Sequence, residues 1–166
     1  MNIIISPAKK MNVREDELDS AGLPCFLSKA EILKEYVRNL SREEARNMWA
    51  CNERIAALNY ERFRNMDLTS RLTPALLSYE GIQYQYMAPG VFEQKSWDYV
   101  QSHLRILSGF YGILRPLDGI VPYRLEMQAR LSVNGCPDLY AFWGDRLARA
   151  LAGEAGLVVD LASREY

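Results

Sequence analysis

A chain of 166 residues, 49% of them hydrophobic, is long enough to bury one real core. Its 20 Lys and Arg against 21 Asp and Glu leave a net charge of -1, so it is no polycation, and any nucleic-acid contact has to use a local basic patch. No apolar run reaches bilayer length, and one histidine removes most histidine-based metal sites.

Three widely spaced cysteines, Cys25, Cys51 and Cys136, give neither a disulfide framework nor a CxxC pair, which fits a reducing cytoplasm. Met1-Asn2 leads directly into Ile3–Ile5 without the charged n-region or cleavage pattern of a signal peptide.

In chain order, Asn2–Ile5 is a β-branched run ending at Ser6-Pro7 and predicts a buried central strand. It delivers Ser6, Lys9 and Lys10 to the carboxyl end of that strand, the edge at which open α/β sheets bind ligands. A lysine is most often a plain solvated charge; the position just past a buried strand leaves that reading and a functional one evenly matched. Residues 12–24 are polar and aperiodic and predict a long loop. Ser28 with Glu31 forms a capping pattern for a helix whose apolar face is Ile32, Leu33, Tyr36, Val37 and Leu40. Ser41 with Glu44 repeats the pattern for a second helix through Met48 and Trp49. A third helix carries Ile55, Leu58, Phe63 and Met66 inward and Arg54, Arg62 and Arg64 outward as a solvated face. Thr73-Pro74 ends this helical section. Ala75–Tyr79 then predicts a short strand. Tyr84 and Tyr86 alternate as sheet-edge residues do, with base stacking as the competing use. Ser96 is placed to cap a helix through Val100 and Leu104, with the lone His103 near its end in a structural role.

Leu104–Met127 is the densest stretch. Leu104–Leu107 predicts a buried extended run interrupted by Arg105. Gly109 and Gly112 bracket Phe110 and Tyr111, so two rings ride on a loop with permissive ends. Arg115 precedes Pro116 and is held extended; Asp118-Gly119 reads as a turn. Tyr123–Met127 extends again, with Tyr123, Leu125 and Met127 on one side and Arg124 and Glu126 on the other. Val133-Asn134-Gly135 signals a turn that would pair residues 130–137 with that run as a hairpin. Asp138 caps a helix with Leu139, Phe142, Trp143, Leu147 and Leu151 in the core. Leu157–Leu161 predicts a final strand of the buried type, presenting Ser163, Arg164 and Glu165 at its carboxyl end. No repeat, low-complexity segment or linker divides residues 1–166, which read as a single α/β domain, a mixed sheet flanked by helices.

If the first and last strands are parallel neighbours, Lys9, Ser163 and Glu165 share a crevice that Arg115, Arg124 and Glu126 can close. Such a site suits a phosphate or nucleotide, because guanidinium groups take phosphate oxygens bidentately. There is no P-loop and no GxGxxG. His103 is too isolated for a Ser-His-Asp arrangement, and a Ser163–Lys9 nucleophile and base pair requires that the two meet. No catalytic residue is therefore assigned. No His/Cys cluster or Glu-x-x-His pair favours iron storage, and neither a metal nor another cofactor is expected.

Several long motifs occur together: S-P-A-K-K-M at Ser6–Met11, L-S-G-F-Y-G-I-L-R-P-L-D at Leu107–Asp118, P-Y-R-L-E-M at Pro122–Met127 and L-A-S-R-E-Y at Leu161–Tyr166. Tyr79-Glu80-Gly81 with Tyr84, and Leu139–Gly144, accompany them. In this combination and order the chain resembles the peroxide stress protein YaaA family. The resemblance implies a cytoplasmic bacterial protein that helps cells withstand hydrogen peroxide by limiting free iron. It further implies a single mixed α/β domain of unusual topology with a positively charged cleft, and duplex DNA as partner through a helix-hairpin-helix-like element. Here that hairpin would be Gly109, Phe110, Tyr111 and Gly112, whose backbone N–H groups could approach phosphates; the extended reading of Leu104–Leu107 puts a strand before it instead of a helix. On this reading Lys9, Lys10, Arg105, Arg115 and Arg124 serve phosphate in a non-enzymatic binder. The alternative is an enzyme acting on a nucleotide or other phosphorylated small molecule in the same cleft. No membrane or protein partner is implied. Family chains continue past the L-A-S-x-E-Y segment, so this one is expected to lack its C-terminal part, and Asp160 stands where asparagine is more usual.

Overall fold

Two largely apolar runs, Asn2–Ile5 and Leu104–Ser108, lie side by side and form the middle of the main sheet. The structure, a computed structural model, describes residues 1–14, 17–154 and 156–166. In order, the elements are β1 (Asn2–Ile5), β2 (Lys10–Met11), α1 (Leu27–Arg38), α2 (Arg42–Trp49) and α3 (Glu53–Asn65). Then come β3 (Thr73–Pro74), α4 (Ala75–Ser78), β4 (Tyr79–Glu80), α5 (Ile82–Met87) and α6 (Gln94–His103). β5 (Leu104–Ser108), β6 (Gly112–Leu114), β7 (Gly119–Ile120), α7 (Leu139–Trp143), α8 (Arg146–Glu154) and β8 (Val158–Asp160) complete the chain.

The sheet runs β6-β5-β1-β8. β1 is parallel to β5, with Ile5 opposite Ile106, and parallel to β8, with Ile4 opposite Asp160. β6 returns antiparallel to β5. This is a mixed sheet in a mixed α/β fold. Because side chains alternate across a strand, Ile5, Leu104 and Ile106 enter the larger core with Leu33, Val37 and Phe63. Ile4, Leu107 and Ile113 face the other way, under Leu147, Ala150 and Leu151 on and beside α8. β8 is an edge strand and its residues are largely exposed.

The turn between β5 and β6 is where packing is tightest. A Cβ on Gly109 would lie 2.6 Å from the carbonyl oxygen of Leu125, and one on Gly112 (φ +79°) 2.9 Å from the Trp143 ring. Trp143 Nε1 donates to the Gly109 carbonyl at 2.9 Å, and Ser108 Oγ accepts from the N–H of Tyr111 at 2.9 Å. Phe110 and Tyr111 are fully buried. These glycines are thus used for close approach of protein to protein.

Several local expectations are corrected. Ala75–Ser78 is a buried helical turn between two short strands; a short run apolar on every side fits either conformation. Tyr84 and Tyr86 lie on α5, one buried and one exposed, rather than on a sheet edge. Tyr123–Met127 keeps the expected alternation of buried and half-buried residues, yet joins no sheet. The Val133 turn closes on itself instead, Val133 and Cys136 exchanging bonds of 3.1 and 2.9 Å, with φ positive at Asn134 and Gly135. α1 begins at Leu27 without a Ser28 cap, and α6 begins at Gln94 ahead of Ser96. Leu58 is exposed, and its neighbour Asn59 is buried with its amide on the Ile55 carbonyl. The capping box of Ser41 and Glu44 and the cap of Asp138 form as read. Residues 15 and 16 of the expected loop, and residue 155 before β8, lie outside the described residues.

Candidate phosphate-binding crevice

β1 and β8 end side by side, and the chain beyond each forms one wall of a crevice. Ser6 follows β1; its hydroxyl accepts from the N–H of Ser163 beyond β8 at 2.7 Å, and its carbonyl accepts from Tyr84 OH at 2.7 Å. The third wall is the extended Tyr123–Met127 segment. Lys9 Nζ lies 3.2 Å from Glu126 Oε2, and an Arg124 terminal nitrogen lies 2.9 Å from Glu126 Oε1. Lys9 is 65% exposed at the mouth, whereas Arg124 is 13% exposed. Glu165 accepts from the Gln128 N–H at 3.3 Å, and its carbonyl accepts from Tyr140 OH at 2.7 Å, which pins the Ser163–Tyr166 turn. Tyr123, Leu125 and Tyr166 supply the apolar surface of a cavity of about 270 Å³.

The phenols around this crevice stay protonated. Burial pushes Tyr166 and Tyr79 up, and pushes Tyr123 up to about 12 although Ser108 and Tyr79 hydrogen-bond its hydroxyl and oppose the rise. Tyr123 OH is 2.5 Å from Ser108 Oγ and 2.6 Å from Tyr79 OH, a buried hydroxyl chain reaching from β5 to the crevice wall.

The other candidate cations go elsewhere. Arg105 projects onto the α8 face, where its Nε donates to Glu154 Oε2 at 2.7 Å; Arg115 donates to Glu154 Oε1 at 3.0 Å. A second cavity of about 220 Å³ lies beside them, bordered by Cys25, Asp118 and Leu151, and shares no lining residue with the crevice. Lys10 pairs with Glu80 across β2 and β4 at 2.9 Å. Gly109, Tyr111 and Gly112 are packed inside, so their N–H groups are not available to a duplex. The structure therefore brings together Ser6, Lys9, Arg124, Glu126, Ser163 and Glu165, and separates from them Lys10, Arg105, Arg115 and the glycine turn.

Sequence reading missed Glu154, which holds both displaced arginines, and Tyr166, which walls the crevice. Nothing in local spacing links Glu154 to Arg105, 49 residues away. Burial pulls the Glu154 carboxyl up, but hydrogen bonds from Arg105 and Arg115 outweigh it and leave it lowered. Burial pushes the Cys25 thiol up, with the Asp118 charge adding to the rise, so this thiol is not primed as a nucleophile.

Asp118 is buried, and burial pushes its carboxyl up to about 6, against the Arg115 N–H that it accepts and the nearby arginine charges. A raised carboxyl pKa means that the folded protein holds more protons than the unfolded chain between about pH 4 and 6. Stability from this group therefore falls as pH rises through that window. Asp118→Asn, which keeps an acceptor for the Arg115 N–H, is expected to gain about 1–2 kcal/mol over the parent above pH 6 and nothing below pH 4. Urea unfolding at the two ends of the window checks this; equal stability of the two proteins at pH 7 would refute it.

Among the described residues no helix is long and apolar enough to cross a membrane. A sequence model of the family described as peroxide stress protein YaaA matches residues 1–166. The chain is 54% identical over 166 residues to a UPF0246 protein of Desulfitobacterium hafniense (strain Y51), covering all of this chain and 66% of that one. It is 54% identical to a UPF0246 protein of Lactiplantibacillus plantarum and 50% identical to one of Agathobacter rectalis, covering 67% of each. The chain thus spans about two thirds of the length of the curated relatives it matches.

Proposed function

The chain belongs to the peroxide stress protein YaaA family, and on that footing we propose that it acts in the cytoplasm by binding DNA phosphates at the Lys9–Arg124 crevice, helping to limit free intracellular iron. One arrangement supports the phosphate: Lys9 and Arg124, from separate segments, reach the same carboxylate at the end of parallel strands. Exposed Arg130 and Arg164 belong to the adjoining segments and extend the basic surface. A phosphate at the mouth takes a charge-assisted bond from Lys9 and lies in the field of the more deeply set Arg124. The iron-limiting role rests on the family resemblance, and three free cysteines agree with a reducing compartment.

The test is duplex binding followed over a range of salt concentrations. Lys9→Ala and Arg124→Ala are each expected to weaken binding and to lower the slope of log K against log salt by about one. Arg115→Ala is expected to leave the slope unchanged, because that side chain borders the second cavity and lies away from the crevice. Unaltered affinity and slope in both Lys9→Ala and Arg124→Ala would remove the crevice from the DNA reading.

A second reading places a phosphorylated small molecule in the same crevice, as ligand or substrate. It is favoured by the cavity's size, about 270 Å³, near the lower end of the roughly 300–1,000 Å³ typical of small-molecule sites. Turnover of a phosphorylated compound that Lys9→Ala abolishes would decide for it.

A further inference from the structure

Arg124 and Glu126 line the crevice together, and their pairing is incomplete. Their nearest atoms are 2.9 Å apart, but Glu126 Oε1 and Arg124 Nε are both buried and neither takes part in a hydrogen bond. The contact is one of charge, with the directional capacity of these two atoms unspent. Buried polar atoms are rarely left so, and when they are, a ligand site is one of the ordinary reasons. The two atoms are of opposite kind, one acceptor and one donor, on residues two apart in the extended segment that lines the cavity.

A phosphate alone does not answer this pattern. It suits Lys9 and the Nε–H of Arg124, but an ionised carboxylate oxygen repels it. The complementary group carries an N–H donor beside an acceptor on one planar edge. The pairing edge of every nucleobase does so, and proteins read unpaired bases through such contacts combined with aromatic stacking. Half-buried Tyr166 offers a ring in the wall. The depth profile agrees: the exposed cation, Lys9, stands at the mouth where a phosphate would remain, and the largely buried Arg124 lies within.

We propose that the crevice accommodates a single nucleotide unit, Arg124 and Glu126 parting from their 2.9 Å contact to read the edge of its base through Arg124 Nε and Glu126 Oε1 while Lys9 holds the phosphate. The base donates an N–H to Glu126 and accepts the Nε–H of Arg124. The assignment of the phosphate rests on the reading given above; that of the base rests on the unspent donor and acceptor.

The experiment is calorimetric titration of the full chain with ribose 5-phosphate, the four ribonucleosides and their 5′-monophosphates. At least one monophosphate is expected to bind roughly tenfold or more tighter than ribose 5-phosphate, the gain a paired base edge gives over an unpaired one. Glu126→Ala, and independently Arg124→Lys, which keeps the charge and removes that Nε–H, are expected to shrink this advantage to within about threefold. Nucleosides that bind while ribose 5-phosphate does not would overturn the phosphate reading and uphold the base. Ribose 5-phosphate binding as tightly as every nucleotide would overturn the base and leave the phosphate. An advantage for the base that survives in both variants would also overturn the proposal. So would Glu126→Ala tightening all ligands alike, since the carboxylate would then be a counter-charge only.

Discussion

Gly109→Ala is expected to cost about 3 kcal/mol of stability, at the upper end of what overpacking a core costs, and to lower the melting temperature by about 6–12 °C for a chain of this size. The added methyl would meet Leu125 O at 2.6 Å, Glu126 C at 2.9 Å and Met127 N at 3.0 Å. All three are backbone atoms, so no side chain can rotate away. The conflict is purely one of room, since the φ of Gly109 is not positive. What moves in response is the segment carrying Arg124 and Glu126, so ligand affinity should fall together with stability. Gly153→Ala is the control: it lies in α8 with nothing near its Cβ position, and should gain roughly 0.5–1 kcal/mol from helix propensity. Thermal melts of the two variants beside the parent are sufficient. A Gly109→Ala protein melting with the parent would show that the turn and the crevice wall are not in contact.

Glu154→Gln is the second large effect, with an expected loss of about 2–3 kcal/mol. Arg105 is 5% exposed, and its remaining partners are the carbonyls of Gln101 and Leu104. Removing the counter-charge of a buried pair typically costs about 3–5 kcal/mol; the carboxylate here is one-third exposed, and water takes up part of that. The double variant Arg105→Met, Glu154→Gln should regain most of the loss, because an apolar side chain leaves no charge to strand on a face already lined by Ile4, Leu107 and Ile113. Chemical denaturation of both variants tests the pair. Equal stability of Glu154→Gln and the parent would mean that Arg105 is not held by this contact.

The parts of this fold that could be read from its sequence are those governed by neighbours in the chain. Asn2–Ile5 and Leu104–Leu107 announce themselves as strands because three of the four residues in each are β-branched or otherwise apolar. Ser41 and Glu44 announce a helix because both cap bonds span three residues. Four of the six crevice residues followed from the same logic, since strand ends carry their loops with them: Ser6 and Lys9 on one side, Ser163 and Glu165 on the other. Arg105 and Arg115 were misplaced because a strand's alternation leaves open which face meets which helix. Their destination was set by Glu154, remote in sequence and unremarkable in its own helix. The glycine turn misled for a related reason. Gly109 and Gly112 truly permit close approach, but what approaches is Leu125 and Trp143; a sequence records the permission and not the visitor.

The bond from Ser163 to Ser6 joins residues 157 positions apart. At the usual pace of translation, about 5–20 residues per second, the first of these waits on the order of 8–30 seconds for the second to be made. A chain made only through Glu126 already carries Lys9, Arg124 and Glu126 but lacks the wall from Ser163 to Tyr166, so the crevice is completed late in synthesis. Conversely, a molecule held there at a hundred times its dissociation constant ties the edge strand β8 to its neighbour β1 and raises the unfolding free energy by about 2.7 kcal/mol.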